Sequence, residues 1–95
     1  MSVMNTFSGK KFDPMHMNSE DVSLEDLAHA LSLLCRGGGH LQYFYSVGQH
    51  SINCMKEARA RGWSKRVQLA CLLHDASEAY IADIIRPVKV HLPEY

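Results

Sequence analysis

Apolar residues recur at three- and four-residue steps through Leu24, Leu27, Ala28, Leu31 and Leu34, a spacing that puts them on one face of a helix. Ser23 stands before the run as an N-cap, with Asp26 in the capping-box position that glutamate usually fills. Gly37, Gly38 and Gly39 are expected to end this helix, because consecutive glycines abolish helix propensity. Leu41 to Tyr45 is compatible with a short extended stretch. A second helix is predicted from about Ser46, with Val47, His50, Ser51, Cys54, Met55 and Ala58 on one face and Gln49, Lys56, Arg59 and Arg61 on the other. Gly62 stops it. Ser64 then caps a third helix predicted over residues 65–80, whose middle, Val67 to Leu73, is apolar almost all round and so reads as the central, most buried helix. Asp83 to Ile85 adds at most a turn before Pro87 breaks it.

Upstream, residues 1–22 carry Gly9, Pro14 and scattered polar residues without a period and read as an arm lying over something else. No alternation is strong enough to build a sheet. The expected organisation is an N-terminal arm, 1–22, and an all-α, compact helical domain, 23–95.

Composition narrows the classes. The 95 residues, 46% hydrophobic and 21% charged, are a single globular domain's worth of chain, neither disordered nor two-domain. A domain this small buries only about 60–65% of its unfolded surface, so a metal or a partner subunit is expected to contribute stability. Zero net charge leaves no overall field to draw the chain to a nucleic acid or a membrane, and a phosphate must be caught locally. The basic residues around Gly62, Arg59, Arg61, Lys65 and Arg66, read as a solvated corner, because only Trp63 accompanies them as a stacking surface. Three cysteines without a Cys-x-x-Cys pair argue against a disulfide framework and a cysteine zinc knuckle. With no signal-peptide core and no apolar run approaching about 18 residues, the expectation is a soluble cytoplasmic protein.

Candidate chemistry concentrates in His74-Asp75-Ala76-Ser77-Glu78, polar groups at the end of the most apolar helix. Burying such groups without partners costs about 2–7 kcal/mol each when neutral and more when charged, and a metal ion is the natural compensation. His50, on the apolar face of the preceding helix, is the best further donor once the Gly62 turn folds the two helices together. His50, His74 and Asp75 form a borderline ligand set that suits Mn, Fe, Co, Ni or Zn. Glu78, one turn beyond His74, is placed to take a proton from an attacking water. Asp83 is a candidate to share that work or to cap the next helix. Arg36 is a candidate to fork onto phosphate or to complement the first helix's dipole. His29 with Asp26 reads as a surface pair, and His16, His40 and His91 as loop residues.

In order and spacing, His50 followed by His74-Asp75 on successive helices resembles the HD-domain phosphohydrolase superfamily. The stretch from His74 through Ala82-Asp83-Ile84 to Pro87-Val88-Lys89, with Cys35-Arg36 and Tyr45-Ser46-Val47-Gly48-Gln49-His50-Ser51 upstream, is similar to its bacterial and phage branch related to 5′-deoxynucleotidases. The resemblance covers about residues 22–92. It implies an all-helical, usually dimeric protein that cleaves nucleotide phosphate esters with a divalent transition metal. It further implies His50, His74 and Asp75 as metal ligands, Glu78 orienting or deprotonating water, Asp83 assisting, and Arg36 holding the substrate phosphate.

Two departures stand beside it. The family closes its metal site with an aspartate on a later helix, and no aspartate follows Asp83 here. Gly37 stands where the deoxynucleotidase branch carries a tryptophan near the sugar. The sequence therefore leads to a metal-dependent phosphohydrolase of a nucleoside monophosphate or similar small phosphoester, C-terminally short and weakly active or inactive as this chain alone. A non-catalytic metal- or nucleotide-binding module and a purely helical interaction protein are the alternatives.

Overall fold

Helices begin here where a serine side chain can satisfy the first free backbone N–H groups. In the computed structural model, which describes residues 3–92, Ser23 Oγ accepts from Asp26 N at 3.3 Å and opens α1 (Leu24–Leu33). Ser46 Oγ accepts from Gln49 N at 2.9 Å and opens α2 (Val47–Ala60). Ser64 Oγ accepts from Val67 N at 3.2 Å and opens α3 (Lys65–Leu73). Two single-turn helices follow, α4 (Glu78–Ile81) and α5 (Arg86–Lys89). Residues 1–2 of the expected arm and 93–95 of the expected helical domain lie outside the described residues. Among the described residues, no helix is long and apolar enough to cross a membrane.

The first helix ends before the glycines. Leu34 turns extended and accepts from Val47 N at 2.7 Å, and Arg36 N donates to Tyr45 O at 2.9 Å, so pairing across the neck of the α1–α2 connection stops α1 at Leu33. Gly37 and Gly38, at φ 65° and 64°, then fold Arg36–Gly39 into a 3-10 turn. Arg36 therefore lies outside α1, and its reading as a partner of that helix's dipole falls. The α1–α2 crossing depends on Gly48, where a Cβ would stand 3.2 Å from the Leu31 carbonyl carbon.

α3 is shorter and more exposed than its apolar run predicts. None of its residues is buried, and Leu69 is 55% exposed. Among the described residues, α2 is the element that lies closely along it, so one face is covered and much of its apolar girth is open. The core sits instead where α1, α2 and the arm meet, at Phe12, Leu27, Leu31, Val47 and Ala58. Pro87 also behaves differently from expectation: residues 82–85 are non-helical, and Pro87 sits in the first turn of α5, where its missing N–H costs nothing.

The arm contains the strands that the sequence pattern did not announce. β1 (Met4–Asn5) and β2 (Lys11–Phe12) pair antiparallel, Met4 opposite Phe12 and Asn5 opposite Lys11. The segment packs on the helices. Phe12, 1% exposed, stacks on Tyr80 of α4 at 3.9 Å between ring centroids. The backbone N–H and hydroxyl of Ser8 donate to the buried Asp26 carboxylate at 2.7 and 2.9 Å. Burial would raise the Asp26 pKa, but hydrogen bonds from Thr6 and Ser8 and the Lys10 charge outweigh it and hold the carboxyl below its ordinary range. The expected Asp26–His29 pair does not form, because Asp26 faces the arm and His29 stacks on Phe7 at 3.7 Å.

Candidate functional site

Between α3 and α4, residues 74–77 form consecutive turns, with i to i+3 bonds from Ala76 N to Leu73 O, Glu78 N to Asp75 O, Ala79 N to Ala76 O and Tyr80 N to Ser77 O. In a regular helix, His74 and Asp75 would point about 100° apart. The tightened backbone brings their tips together, with His74 Nε2 at 3.0 Å from Asp75 Oδ2. His50, held by the Ser46-capped start of α2, places Nε2 at 3.6 Å from the same oxygen, and the two imidazole centroids are 5.3 Å apart. The three expected ligands thus converge on one point.

The ring hydrogen bonds fix what that point can accept. His74 Nδ1 donates to Cys71 O at 2.7 Å, so in the neutral ring Nε2 presents a lone pair toward the Asp75 oxygen. Two acceptors meet there, an arrangement that a proton or a cation must fill. A carbonyl behind the ring is also how metal-binding histidines are commonly oriented. His50 differs: Arg36 Nη1 donates to its Nδ1 at 2.8 Å, which leaves the proton of the neutral ring on Nε2. Burial and the Arg36 charge hold the His50 pKa below the ordinary histidine value despite Asp75 and Asp83 nearby. A cation on His50 Nε2 therefore requires the proton to move to Nδ1 and Arg36 to let go.

Glu78 is 5% exposed and faces two other carboxyls. Burial first, then hydrogen bonding and charge from Asp75 and Asp83, push its pKa up to about 8. Asp83 reaches back to accept from Gly37 N at 2.8 Å, which ties residues 82–85 to the glycine turn carrying Arg36. Ala82, at φ 110° in backbone space that side chains rarely occupy, makes the bend that aims Asp83 there. α5 is entered through Ile85, so Asp83 does not cap it.

Between these elements opens a cavity of about 360 Å³, with Asp75, Glu78 and Asp83 on its walls together with Arg36, Arg86 and Lys89. Arg86 and Lys89 were not singled out by sequence reasoning, because their distance along the chain from Arg36 hides that the Asp83 tether brings α5 alongside it. Cys54 lies outside the candidate set read from the sequence. Its position one helical turn after His50 was the available signal, and its Sγ lies 3.6 Å from His50 Nε2. His50, Cys54 and His74 together form a possible metal-binding group, each offering a ligand atom within 4.8 Å of the others. Imidazole, thiol and carboxylate donors match a borderline divalent transition metal.

No protein-family model matches the chain. It is similar to the uncharacterized protein YfdR of Escherichia coli K12, 42% identical over 95 residues that cover 100% of this chain and 51% of that protein. It is also similar to an uncharacterized protein of Rhodobacter capsulatus, 40% identical over 87 residues, 86% of this chain and 44% of that one. The chain spans about half the length of the curated relatives it matches.

Proposed function

We propose that this chain carries the metal- and phosphate-binding part of an HD-type phosphohydrolase acting on a nucleoside monophosphate or a similar small phosphoester. The observation that carries the reading is the meeting of His50 and His74 at Asp75, which also lines a cavity that pairs carboxyls with cations. A divalent metal held by these residues supplies Lewis-acid polarisation and lowers the pKa of water. Arg36, Arg86 and Lys89 bind and orient the phosphoryl oxygens and offset the charge that develops on them. Glu78 takes the proton of the attacking water once a bound cation offsets the charge of Asp75 and Asp83 and lets its carboxyl ionise. Asp83, through Gly37 N, keeps the Arg36 turn against the cavity.

A second reading, a binding module without turnover, is favoured by one observation: Glu78 is buried against Asp75 and Asp83, which favour its protonated form, and a protonated carboxyl takes no proton from water. Calorimetric titration of a nucleoside monophosphate into Mn- or Co-loaded chain, beside a phosphate-release assay, separates the two. The phosphohydrolase reading expects metal-dependent binding and slow release that disappears in Glu78→Gln. Binding without release selects the module, and absence of both removes the proposal.

Arg36 supplies a sharper check. Arg36→Ala is expected to weaken nucleotide binding by about 1.5–3 kcal/mol, the worth of a charge-assisted hydrogen bond, without weakening metal binding. Arg36→Lys restores only part of the loss, because an ammonium lacks the planar fork. Equal dissociation constants in all three proteins would take Arg36 out of the phosphate site.

A further inference from the structure

We propose that Cys54 is a ligand of the same metal, so that the site closes as His50, Cys54, His74 and Asp75. This inference rests on the metal reading above and names a fourth donor from within the chain. His50 and Cys54 lie one turn apart on α2 and project from the same face, so the helix itself sets the thiol beside the imidazole.

The distances fit one coordination sphere. Nitrogen, oxygen and sulfur donors at about 2.0–2.3 Å from a tetrahedral centre stand roughly 3.3–3.6 Å from one another. Cys54 Sγ to His50 Nε2 is 3.6 Å, His50 Nε2 to Asp75 Oδ2 is 3.6 Å, and His74 Nε2 to Asp75 Oδ2 is 3.0 Å. The ligand atoms of His50, Cys54 and His74 all lie within 4.8 Å of one another. These three residues come from α2 and the end of α3, the two helices that lie closest along each other.

The chemistry of the thiol points the same way. Burial, Cys71 and Asp75 push the Cys54 pKa up, which favours the thiol over the thiolate in the metal-free chain. A bound cation reverses that balance by taking the thiolate directly and releasing the proton to solvent. Replacing a hard carboxylate with a thiolate in the fourth position also shifts the preference of the site toward Zn and Co and away from Mn.

Cobalt(II) reports on sulfur ligation without any assay of activity, because a thiolate–Co bond adds a near-ultraviolet charge-transfer band to the visible d–d bands. Titrating Co(II) into the reduced chain is expected to give that band in wild type and in Cys71→Ser. It should vanish in Cys54→Ser, with Co affinity lowered roughly 10- to 100-fold, a loss of the size that ligand-shell substitutions produce. A band that survives in both Cys71→Ser and Cys35→Ser assigns the sulfur to Cys54 even where Cys54→Ser folds poorly. Co bound with d–d bands alone, or a band that disappears in Cys71→Ser instead, overturns the role of Cys54 and leaves the His50, His74 and Asp75 reading standing. No Co bound to wild type overturns both.

Discussion

Phe12→Ala is expected to lower the stability of the chain by about 3–5 kcal/mol, the range for removing a buried aromatic ring, and to weaken Co(II) binding at the proposed metal site. The ring is 1% exposed and stacks on Tyr80, whose α4 turn begins at Glu78. Domains have only about 5–15 kcal/mol of net stability, so the loss is a large share of the total. Without the ring, Tyr80 loses its stacking partner and the 74–81 segment loses the contact that presses it toward α1. Phe12→Leu keeps most of the volume and is expected to recover about half of the loss. Urea unfolding of the three proteins, with Co(II) titration of each, measures both effects. A metal affinity unchanged in Phe12→Ala would mean that the arm stabilises the fold without positioning the site.

That dependence of the site on the arm was not legible in the sequence. Ser23, Ser46 and Ser64 announced the starts of three helices, because a serine before an apolar period is a local signal read by local hydrogen bonds. The ends were harder. α1 stops at Leu33 through bonds between Leu34 and Val47 and between Arg36 and Tyr45, which join positions that no local window connects. The strands of the arm are two residues each, too short to show an alternation, and Phe12 reads as an isolated aromatic until Tyr80 is beside it. α3 went wrong for a different reason. Its apolar girth describes how much surface it has to cover, whereas its exposure depends on which elements are there to cover it.

His50, His74 and Asp75 come together although the third helix ends at Leu73, well short of residue 80. His50, His74 and Asp75 meet because apolar periodicity correctly paired two successive helices across Gly62, a relation that sequence spacing does encode. The residues that sequence reasoning missed, Cys54, Arg86 and Lys89, differ in kind. Cys54 was one turn from a candidate ligand and could have been found by asking what shares the face of His50. Arg86 and Lys89 reach the cavity only because Ala82 bends the chain and Asp83 ties it to Gly37, a tertiary event with no local signature.

In metal-free chain, stability falls as pH rises from about 5 to 8, and Glu78→Gln removes that slope. Glu78 has an ordinary value of 4.5 in the unfolded chain and about 8 in the folded one. Below 4.5 the carboxyl is protonated in both states and its contribution is fully present. Between the two values the unfolded chain gives up a proton that the folded chain keeps, so each pH unit favours unfolding by about 1.4 kcal/mol for a fully shifted group. Above about 8 both states are ionised and the contribution is gone. Water entering the cavity reduces the total, which is expected to be on the order of 3 kcal/mol between pH 5 and 9. Glutamine retains an N–H donor toward Asp75 and Asp83 but cannot ionise, so its curve is flat across this window. Chemical denaturation with a chelator present, at one-unit steps of pH, gives both curves, and parallel slopes would show that Glu78 ionises as an ordinary carboxyl. A divalent cation offsets the repulsion among Asp75, Glu78 and Asp83, so adding one at pH 8–9 is expected to raise wild-type stability more than that of Glu78→Gln.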